Sequence, residues 1–363
     1  MNRAFLGVSI AIAMTATLAK GPDLILKSAN SNINTMNGDE LISVLEGNVV
    51  FLYDDAVIKS EYAKWWKSKG TVHFSNRVHV TKQKQDLTCN QLDYEKSRKW
   101  LRADGAINFY DAKERTRLLG QHADYYPDTK FITLTGKPVF INYDTAAHDT
   151  LIIHGEKMSY SDSIKLALVE RSVTIQKGKL LSRCQTALYY TDSNRAQLRI
   201  KPDILFEHDS LTGDSVDLFF TKRAMRGMSV DGNSHGRYKD VSGKDTLLTN
   251  IFGDSLYMAL DDSGKVDSLW IYRNVKSSYR PLKDTLHANE AYGKIMLVSF
   301  TKKGDVDTVK VWGNAKSVYH VEEKDKGVNI ATGDSIAVAF KEGKASHVML
   351  SGSVRGYYAP EKK

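Results

Sequence analysis

The feature that most constrains this chain of 363 residues is one strand-like segment that returns along most of its length. From Val309 to Tyr319 the sequence reads VKVWGNAKSVY, and every second residue up to Ala315 is apolar or small. This period of two predicts a β-strand with one buried face. The segments that fit the same frame are LEGNVVF, GTVHF, ADGAINF, LTGKPVF, VERSVTI, LRIKPDI, VDGNSHGRY, LWIYRNVKSSY and VMLSGSVRGYY.

A second signature precedes these strands: a small residue, which we call the anchor, followed three and five positions later by larger residues. Cys89 with Leu92 and Tyr94 is one example, and in the second half the signature becomes Gly-Asp-Ser followed by an aliphatic residue. The predicted anchors are Ser60, Cys89, Gly120, Gly155, Cys184, Gly213, Gly253, Asn289 and Gly333. Periods of about 20 to 50 residues are typical of repeat proteins, in which each unit packs on its neighbours. The sequence therefore predicts an all-β, elongated, two-sheeted solenoid of about ten stacked repeat units.

The N-terminus predicts an exported protein. Residues 1–19 combine Arg3, an apolar run and Ala19 before Lys20, as is typical of a cleavable secretory signal peptide. An uncleaved membrane anchor is the alternative, although the apolar run is short for a membrane span. The expected organisation is a signal peptide at 1–19, a lead-in at 20–37, repeats at 38–209, longer Gly-Asp-Ser repeats at 210–358 in the same continuous body, and a tail at 359–363.

The two cysteines are expected to be free and buried. Cys89 and Cys184 occupy the same slot in units three repeats apart. With strands about 4.8 Å apart, three units separate them by roughly 14 Å or more, whereas a disulfide needs Cα atoms within about 7 Å.

The charge balance favours an anionic partner. The net charge is +8 and the isoelectric point is near 9.1. Basic residues such as Lys310 and Lys316 are scattered over predicted solvent-facing positions, where they also discourage edge-to-edge pairing. No dense block of Lys and Arg indicates nucleic acid, so we expect none as a partner.

No sequence motif indicates catalysis or metal binding. Acidic residues beside the anchors, such as Asp214 and Asp254, could form a calcium-binding ladder, but a side chain in this position is more often a cap on a turn. The histidines lack zinc-ligand spacing, and phosphate-binding glycine loops and GxSxG elbows are missing. A polysaccharide-active enzyme on a β-helix stays an alternative, because glycosidase carboxylates meet only in the fold. We expect no enzyme, catalytic residue, metal or cofactor.

The regularity of the chain lies in an apolar row that is predicted to face inward. One interpretation is a dry core between two sheets. The other is that the sheets splay and leave an open apolar trough, with room provided by small residues such as Ala103, Gly105, Gly136, Gly313, Ala315 and Gly352. The row comprises Val49, Phe51, Val72, Phe74, Leu101, Ile107, Phe109, Leu134, Phe140, Val169, Val173, Ile175, Leu198, Ile204, Leu269, Ile271, Val309, Val311, Val348 and Leu350.

These signatures resemble those of a known family. The anchor segments CNQLDY, GQHADY, GEKMSY and CQTALY, with the glycine strands LEGNVVF, GTVHF, ADGAINF and VWGNA behind a cleavable signal, are similar to the OstA/LptA-like periplasmic proteins of lipopolysaccharide transport. The likeness covers Gly38 to Tyr358. It implies a V-shaped β-jellyroll that holds lipopolysaccharide acyl chains in an open trough, so the inward row would be a lipid-binding groove.

The resemblance also implies a role and partners. The chain would be a non-enzymatic periplasmic bridge that carries lipopolysaccharide toward the outer membrane. Its partners would be the lipid A acyl chains, the jellyroll domains of inner-membrane and outer-membrane transport components, and further copies of itself joined head to tail. This chain is longer than the better-known members, and its second half uses stretched units. An exported structural or adhesive β-solenoid with a filled core is the alternative.

Overall fold

The structure is a computed structural model that describes residues 24–144, 149–206, 208–221, 224–240, 246–263, 265–284, 286–321, 326–341 and 344–360. The predicted signal peptide lies outside these residues. They form 26 β-strands and no α-helix, which confirms the all-β prediction. A search of the same residues for a helix able to cross a membrane found none.

The strands belong to two compact units. We call the described residues in 24–178 and 186–193 the N-terminal unit, and those in 179–185 and 194–360 the C-terminal unit. The strands of the N-terminal unit are β1 (Leu24–Ser28), β2 (Ser31–Asn37), β3 (Glu40–Tyr53), β4 (Ala56–Trp66), β5 (Thr71–Lys82), β6 (Gln85–Glu95), β7 (Trp100–Asp111), β8 (Thr116–Tyr126), β9 (Phe131–Thr135), β10 (Val139–Asp144), β11 (Asp149–His154), β12 (Lys157–Ser161) and β13 (Leu166–Lys177).

The next strand, β14 (Leu180–Tyr190), gives residues to both units. The strands of the C-terminal unit are β15 (Arg195–Arg199), β16 (Asp203–Phe206), β17 (Asp209–Thr212), β18 (Ser215–Thr221), β19 (Ala224–Asp240), β20 (Leu247–Leu260), β21 (Val266–Pro281), β22 (Asn289–Phe300), β23 (Val306–Val321), β24 (Gly327–Lys341), β25 (Lys344–Ser351) and β26 (Arg355–Pro360). Strand neighbours in both units pair antiparallel.

Each repeat contains one bend of constant design. In β3 two successive residues, Gly47 and Asn48, have positive φ of 71° and 48°, and the pairing with β4 slips between Glu46 and Val49. Such a bulge turns the strand and increases its twist. The same left-handed pair recurs at Asn76-Arg77, Gly105-Ala106, Gly136-Lys137, Arg171-Ser172, Ile200-Lys201, Gly232-Asn233, Arg273-Asn274, Gly313-Asn314 and Gly352-Ser353. These pairs lie within or just after the ten segments matched in the sequence.

The bends place the two halves of each long strand of the N-terminal unit in different layers. In β3, residues 40–46 pair with one half of β4 and residues 49–53 with the other half. The ring of Phe51, in the second layer, lies 5.5 Å from Trp65 and 5.2 Å from Phe74, both in the first layer. These edge-to-face contacts cross the space between the layers. The core of this unit therefore lies between two layers, as predicted.

The anchors are small because a side chain of the next strand packs directly over them. A Cβ atom on Gly213 would lie 2.4 Å from Cγ1 of Val230, and one on Gly253 would lie 2.4 Å from Cγ2 of Ile271. Real Cβ atoms do not approach a carbon so closely, because packed interiors leave no room for the overlap. The inward row and the anchors are thus two sides of the same contact.

One predicted anchor is wrong. The pairing of β22 slips between Tyr292 and Ile295, so the anchor is Gly293 and not Asn289. A Cβ on Gly293 would lie 2.4 Å from Cγ1 of Val311, the same contact as at the other anchors. The Gly-Asp-Ser pattern is replaced here by Gly-Lys-Ile, which hid the glycine in the sequence.

Four glycines that were expected to widen the trough have another role. Gly105, Gly136, Gly313 and Gly352 are the first residues of left-handed pairs at the bends. Glycine is favoured there by the backbone conformation, since an L-residue with a Cβ is strained in it. Space in the groove must therefore come from other positions.

The acidic residues beside the anchors cap the bends. The carboxylate of Asp254 accepts hydrogen bonds from Nδ2 of Asn274 at 2.8 Å and Nε of Arg273 at 3.1 Å. The carboxylate of Asp214 accepts one from Nδ2 of Asn233 at 3.0 Å. The structure thus gives these carboxylates the capping role. Within the described ranges, no group of three or more His, Cys, Asp or Glu side chains could hold a metal ion.

Both cysteines are buried and neither forms a disulfide, as expected. Burial, together with the nearby carboxylates of Asp104 and Asp93, raises the pKa of the Cys89 thiol to about 12. The thiolate is the reactive form of cysteine, so Cys89 should be inert in the folded protein.

We expect Cys89 to be protected from thiol reagents. In a Cys184→Ser variant at pH 8, the remaining thiol should react with a chromogenic disulfide much more slowly in buffer than in urea, because folding keeps it protonated and covered. Equal rates in buffer and in urea would contradict the buried anchor. The reaction in urea serves as the control for reagent and thiol content.

We expect the bend in β19 to depend on glycine. In the Gly232→Ala variant the residue has a φ of +76°, and its new Cβ would lie 2.2 Å from the carboxylate of Asp214. The unfolding free energy should fall by about 2 kcal/mol or more. Gly236→Ala is the matched control, since the nearest atom to its Cβ lies 3.8 Å away and its φ is ordinary. Equal urea midpoints for the two variants would disprove the role of the bend.

Candidate functional site

The predicted inward residues lie on the inner faces of the layers, but they are not equally covered. The buried members are Val49, Phe51, Val72, Phe74, Ile107, Phe109, Leu134, Phe140, Val169, Val173, Leu198, Leu269, Ile271 and Val311. Leu101, Ile175, Ile204, Val309 and Leu350 are partly exposed, and Val348 is exposed on β25. Coverage is most complete near β3 to β6, where Phe51 and Phe74 have no exposed surface. That stretch is a filled core.

Further along the N-terminal unit, the packing between the layers is looser. A cavity of about 70 Å³ is lined by Leu101, Ile107, Phe109 and Leu134, among others, and one of about 30 Å³ by Leu134, Phe140 and Val169. A water molecule needs only about 10–15 Å³ of such volume, so both are real gaps. Neither gap is large enough to hold an acyl chain.

The lining of the larger cavity is uncharged. Tyr125 contributes the one hydroxyl among its lining residues. Burial, helped by the charge of Asp162, raises the pKa of Tyr125 to about 12. The phenol therefore stays neutral at physiological pH, and the cavity is an apolar environment.

The bends of β19, β21 and β23 likewise divide the strands of the C-terminal unit into two layers, and we call the layer with residues 224–231, 266–272 and 306–312 its first layer. This layer carries a continuous apolar row. Its members are successive cross-strand partners, and those before Leu350 are nearly or fully buried. The row is Leu198, Val216, Val230, Leu256, Ile271, Met296, Val311, Ile336 and Leu350.

A second apolar row lies one step farther from the bends on the same face. In this row Met258, Val309 and Val338 are only partly covered. Its members are Ala196, Leu218, Met228, Met258, Leu269, Val298, Val309, Val338 and Val348.

The second layer of the C-terminal unit presents mostly small side chains on its inner face. We call the following cross-strand partners the small row: Gly236, Ile251, Ser277, Ala291, Ser317, Ala331 and Gly356. Only Ile251 is bulky. Large apolar side chains on one layer therefore face small ones on the other, which is the arrangement that leaves room for a ligand.

The inner faces of this unit become more exposed with distance from the bends. On the inner face of β21, Val275 is 2% exposed next to the bend, Ser277 is partly exposed, and Tyr279 at the far end is 44% exposed. β23 shows the same gradient from Ala315 to Tyr319. The C-terminal unit thus contains a groove that is closed at the bends and open at the strand ends, and we call it the C-terminal groove.

The sequence found one wall of this groove and missed the other. Ile271, Val309 and Val311 stand out by their apolar alternation. The small row carries no such signal, because Ser277 and Ser317 look like solvent-facing residues. The clue is the spacing: each serine lies four residues after the first residue of a left-handed pair, on the face shared with buried Val275 or Ala315.

Comparisons with known proteins give little to add. No family model matches the chain, and no curated protein matches it either. Among solved structures, the chain is similar to LptH, described as the LptA homologous periplasmic component of the conserved lipopolysaccharide transport device from Pseudomonas aeruginosa. The identity is 10%, the match covers 42% of this chain and 94% of LptH, and the TM-score is 0.23. At that score the likeness supports no conclusion about function.

Proposed function

We propose that this protein is a non-enzymatic carrier that holds the acyl chains of lipopolysaccharide in an apolar groove and bridges the periplasm toward the outer membrane. The observation that carries the proposal is the C-terminal groove, in which two apolar rows face the small row across a space open at one side. The resemblance of the repeat signatures to OstA/LptA-like sequences points to the same cargo.

The groove has the physical properties that a carrier needs. Each methylene group buried in it gains about 0.8 kcal/mol, so an acyl chain is held out of water. Because the rows repeat nearly the same residues from strand to strand, successive positions have similar affinity. A lipid can then move along the groove without a deep trap, and its direction must come from an energised partner.

The two units differ in how well they suit this role. The stretch around β3 to β6 is filled by its own aromatic side chains. The cavities near β7 to β13 are apolar but small. We therefore assign acyl binding first to the C-terminal groove. The inward residues of the N-terminal unit would bind lipid only if its two layers moved apart.

The terminal strands are suited to docking. Within the described residues, β1 and β2 pair only with β3, while β25 and β26 pair only with β24. Apolar side chains on these strands are exposed, including Ile33, Met36, Met349 and Tyr357. Open edges of this kind recruit further strands. They would take the jellyroll domains of inner-membrane and outer-membrane transport components, or a second copy head to tail.

A second candidate function is an exported structural or adhesive β-solenoid. The observation that favours it is the filled core, where the ring of Phe51 contacts both Trp65 and Phe74 and no space remains. If the C-terminal groove closes in the same way in solution, the chain has no place for a lipid. The two candidates therefore differ in what the groove contains.

We expect a photocrosslinking residue at Val309 to capture lipopolysaccharide in cells. Val309 lies on the inner face of β23 and is partly exposed, whereas its neighbour Lys310 lies on the outer face and is exposed. Adducts at 309 and not at 310 would establish both the groove and the cargo. No adduct at 309, in a protein shown to be folded and exported, would overturn the transport function.

We expect charge insertion to separate the groove from the filled core. Val309→Arg should leave the fold intact, because the side chain can reach water, but should abolish lipopolysaccharide binding. Phe74→Arg should unfold the N-terminal unit, since an unpaired buried charge costs several kcal/mol. Circular dichroism melts and binding of purified lipopolysaccharide measure the two effects. If Val309→Arg unfolds the protein as Phe74→Arg does, the structural solenoid is favoured.

A further inference from the structure

The last inner row of the second layer in the C-terminal unit has a chemistry of its own. Four copies of the repeat in this unit end in tyrosine, in the segments HGRY, KSSY, KSVY and RGYY. On the strands that lie between these copies, Thr or Asn is the cross-strand partner of the tyrosine. We call this set the tyrosine row, and it comprises Tyr238, Thr249, Tyr279, Asn289, Tyr319, Asn329 and Tyr358.

The tyrosine row lies at the open side of the C-terminal groove. Tyr279 is two residues beyond Ser277 and four beyond buried Val275, so all three side chains lie on the same face of β21. The four tyrosines are 53%, 44%, 57% and 44% exposed in chain order. Large aromatic side chains exposed on an inner face mark an interaction site more often than a core.

The spacing of the row suits an extended ligand. Strands in a sheet lie about 4.8 Å apart, so tyrosines on alternate strands are about 10 Å apart, and seven strands span roughly 29 Å. The aromatic rings are separated by the shorter Thr and Asn side chains, which leaves a regular series of shallow steps.

The row carries no charged side chain. Its groups are hydroxyls and amides, which both donate and accept hydrogen bonds. Phosphates and carboxylates are bound chiefly by Arg and Lys, which are missing from these seven positions. The corresponding last row in the N-terminal unit differs, since it contains Asp111 and Lys177, both buried. The tyrosine row is therefore a neutral, polar and aromatic surface.

Two members, Asn289 and Tyr358, already have hydrogen bonds to the backbone. The Oδ1 atom of Asn289 accepts a hydrogen bond from the backbone N–H of His320 at 2.8 Å, which ties β22 to β23. Asp209 accepts from the backbone of Lys239 in the same way. The hydroxyl of Tyr358 donates a hydrogen bond to the backbone carbonyl of Lys326 at 3.3 Å. Tests of the row should therefore use Tyr279 and Tyr319 and leave Asn289 and Tyr358 unchanged.

We propose that the tyrosine row binds the uncharged sugars of the amphiphile whose acyl chains occupy the C-terminal groove. The proposal rests on the proposed function and adds to it the headgroup site. Sugar hydroxyls match hydroxyl and amide partners, and the apolar C–H face of a sugar ring packs on an aromatic ring. Tyrosine is suited to this position because one part of it is apolar and its tip is polar, as the boundary between acyl chain and water requires.

The test uses the full chain and two probes. One is purified lipopolysaccharide with its core sugars, and the other is cis-parinaric acid, a fluorescent fatty acid without sugars. The inner variants are Tyr279→Phe/Tyr319→Phe, which removes only the hydroxyls, and Tyr279→Ala/Tyr319→Ala, which also removes the rings. The matched control is Tyr257→Phe/Tyr272→Phe. These two tyrosines lie on the outer face of the first layer of the C-terminal unit and are 39% and 36% exposed.

We expect the alanine variant to bind lipopolysaccharide about tenfold more weakly or worse, and the phenylalanine variant several-fold more weakly. Both should bind cis-parinaric acid within about twofold of the wild type, as should the outer control with either probe. If the alanine variant does not fold, the phenylalanine variant decides.

Two other results would overturn the sugar site in different ways. Unchanged lipopolysaccharide binding in folded inner variants, with both probes bound by the wild type, would remove the sugar site and leave the carrier function standing. Equal losses for both probes would mean that the tyrosines only shape the acyl groove. A wild type that binds neither probe would overturn the carrier function itself, and the sugar site with it.

Discussion

The structure depends on the contact between an anchor and the bend of the next strand. A bend needs two successive left-handed residues, each of which costs roughly 1–2 kcal/mol when it is not glycine. It persists because the neighbouring strand supplies a small residue for the inward side chain and a polar side chain that caps the bend. Asp254 with Arg273 and Asn274 shows the arrangement most fully. Since bends and anchors alternate along the sheet, as in β19 to β24, each bend has an anchor strand beside it, and the strands can stack only in register.

The bend also determines which residues can form a site. A side chain next to it, such as Val230 or Val275, is covered by both layers and is buried. Farther from the bend, the layers no longer shield each other, and exposure increases along the strand. The distance from the left-handed pair thus defines three zones: a closed apolar base, a middle zone whose width depends on side-chain size, and an open margin. The proposed ligand sites lie in the middle zone and at the margin, whereas the buried base belongs to the core of the fold.

Much of this could be predicted from the sequence, and the exceptions have physical reasons. The strands and most anchors were visible because alternation and small residues both leave a clear pattern. Asn289 was taken for an anchor because Gly293 lacks the Asp-Ser that follows the other glycines. The glycines of the bends were expected to make room in a trough. A sequence does not show whether a glycine is needed for the backbone conformation or for space beside a ligand. Ser277 and Ser317 were missed because a small polar residue inside a groove reads like one at the surface.

The difference between the two units shows how one repeat can give either a core or a groove. In the N-terminal unit the middle zone of the second layer holds the buried Phe51 and Ile58, and the ring of Phe51 reaches the opposite layer. In the C-terminal unit Ser277 and Ser317 take the equivalent position on the inner face, and their side chains are too short to do so. The bend, the anchor and the apolar first layer stay the same. In the proposed function, side-chain volume in a single row distinguishes a repeat that fills its own core from one that leaves room for a ligand.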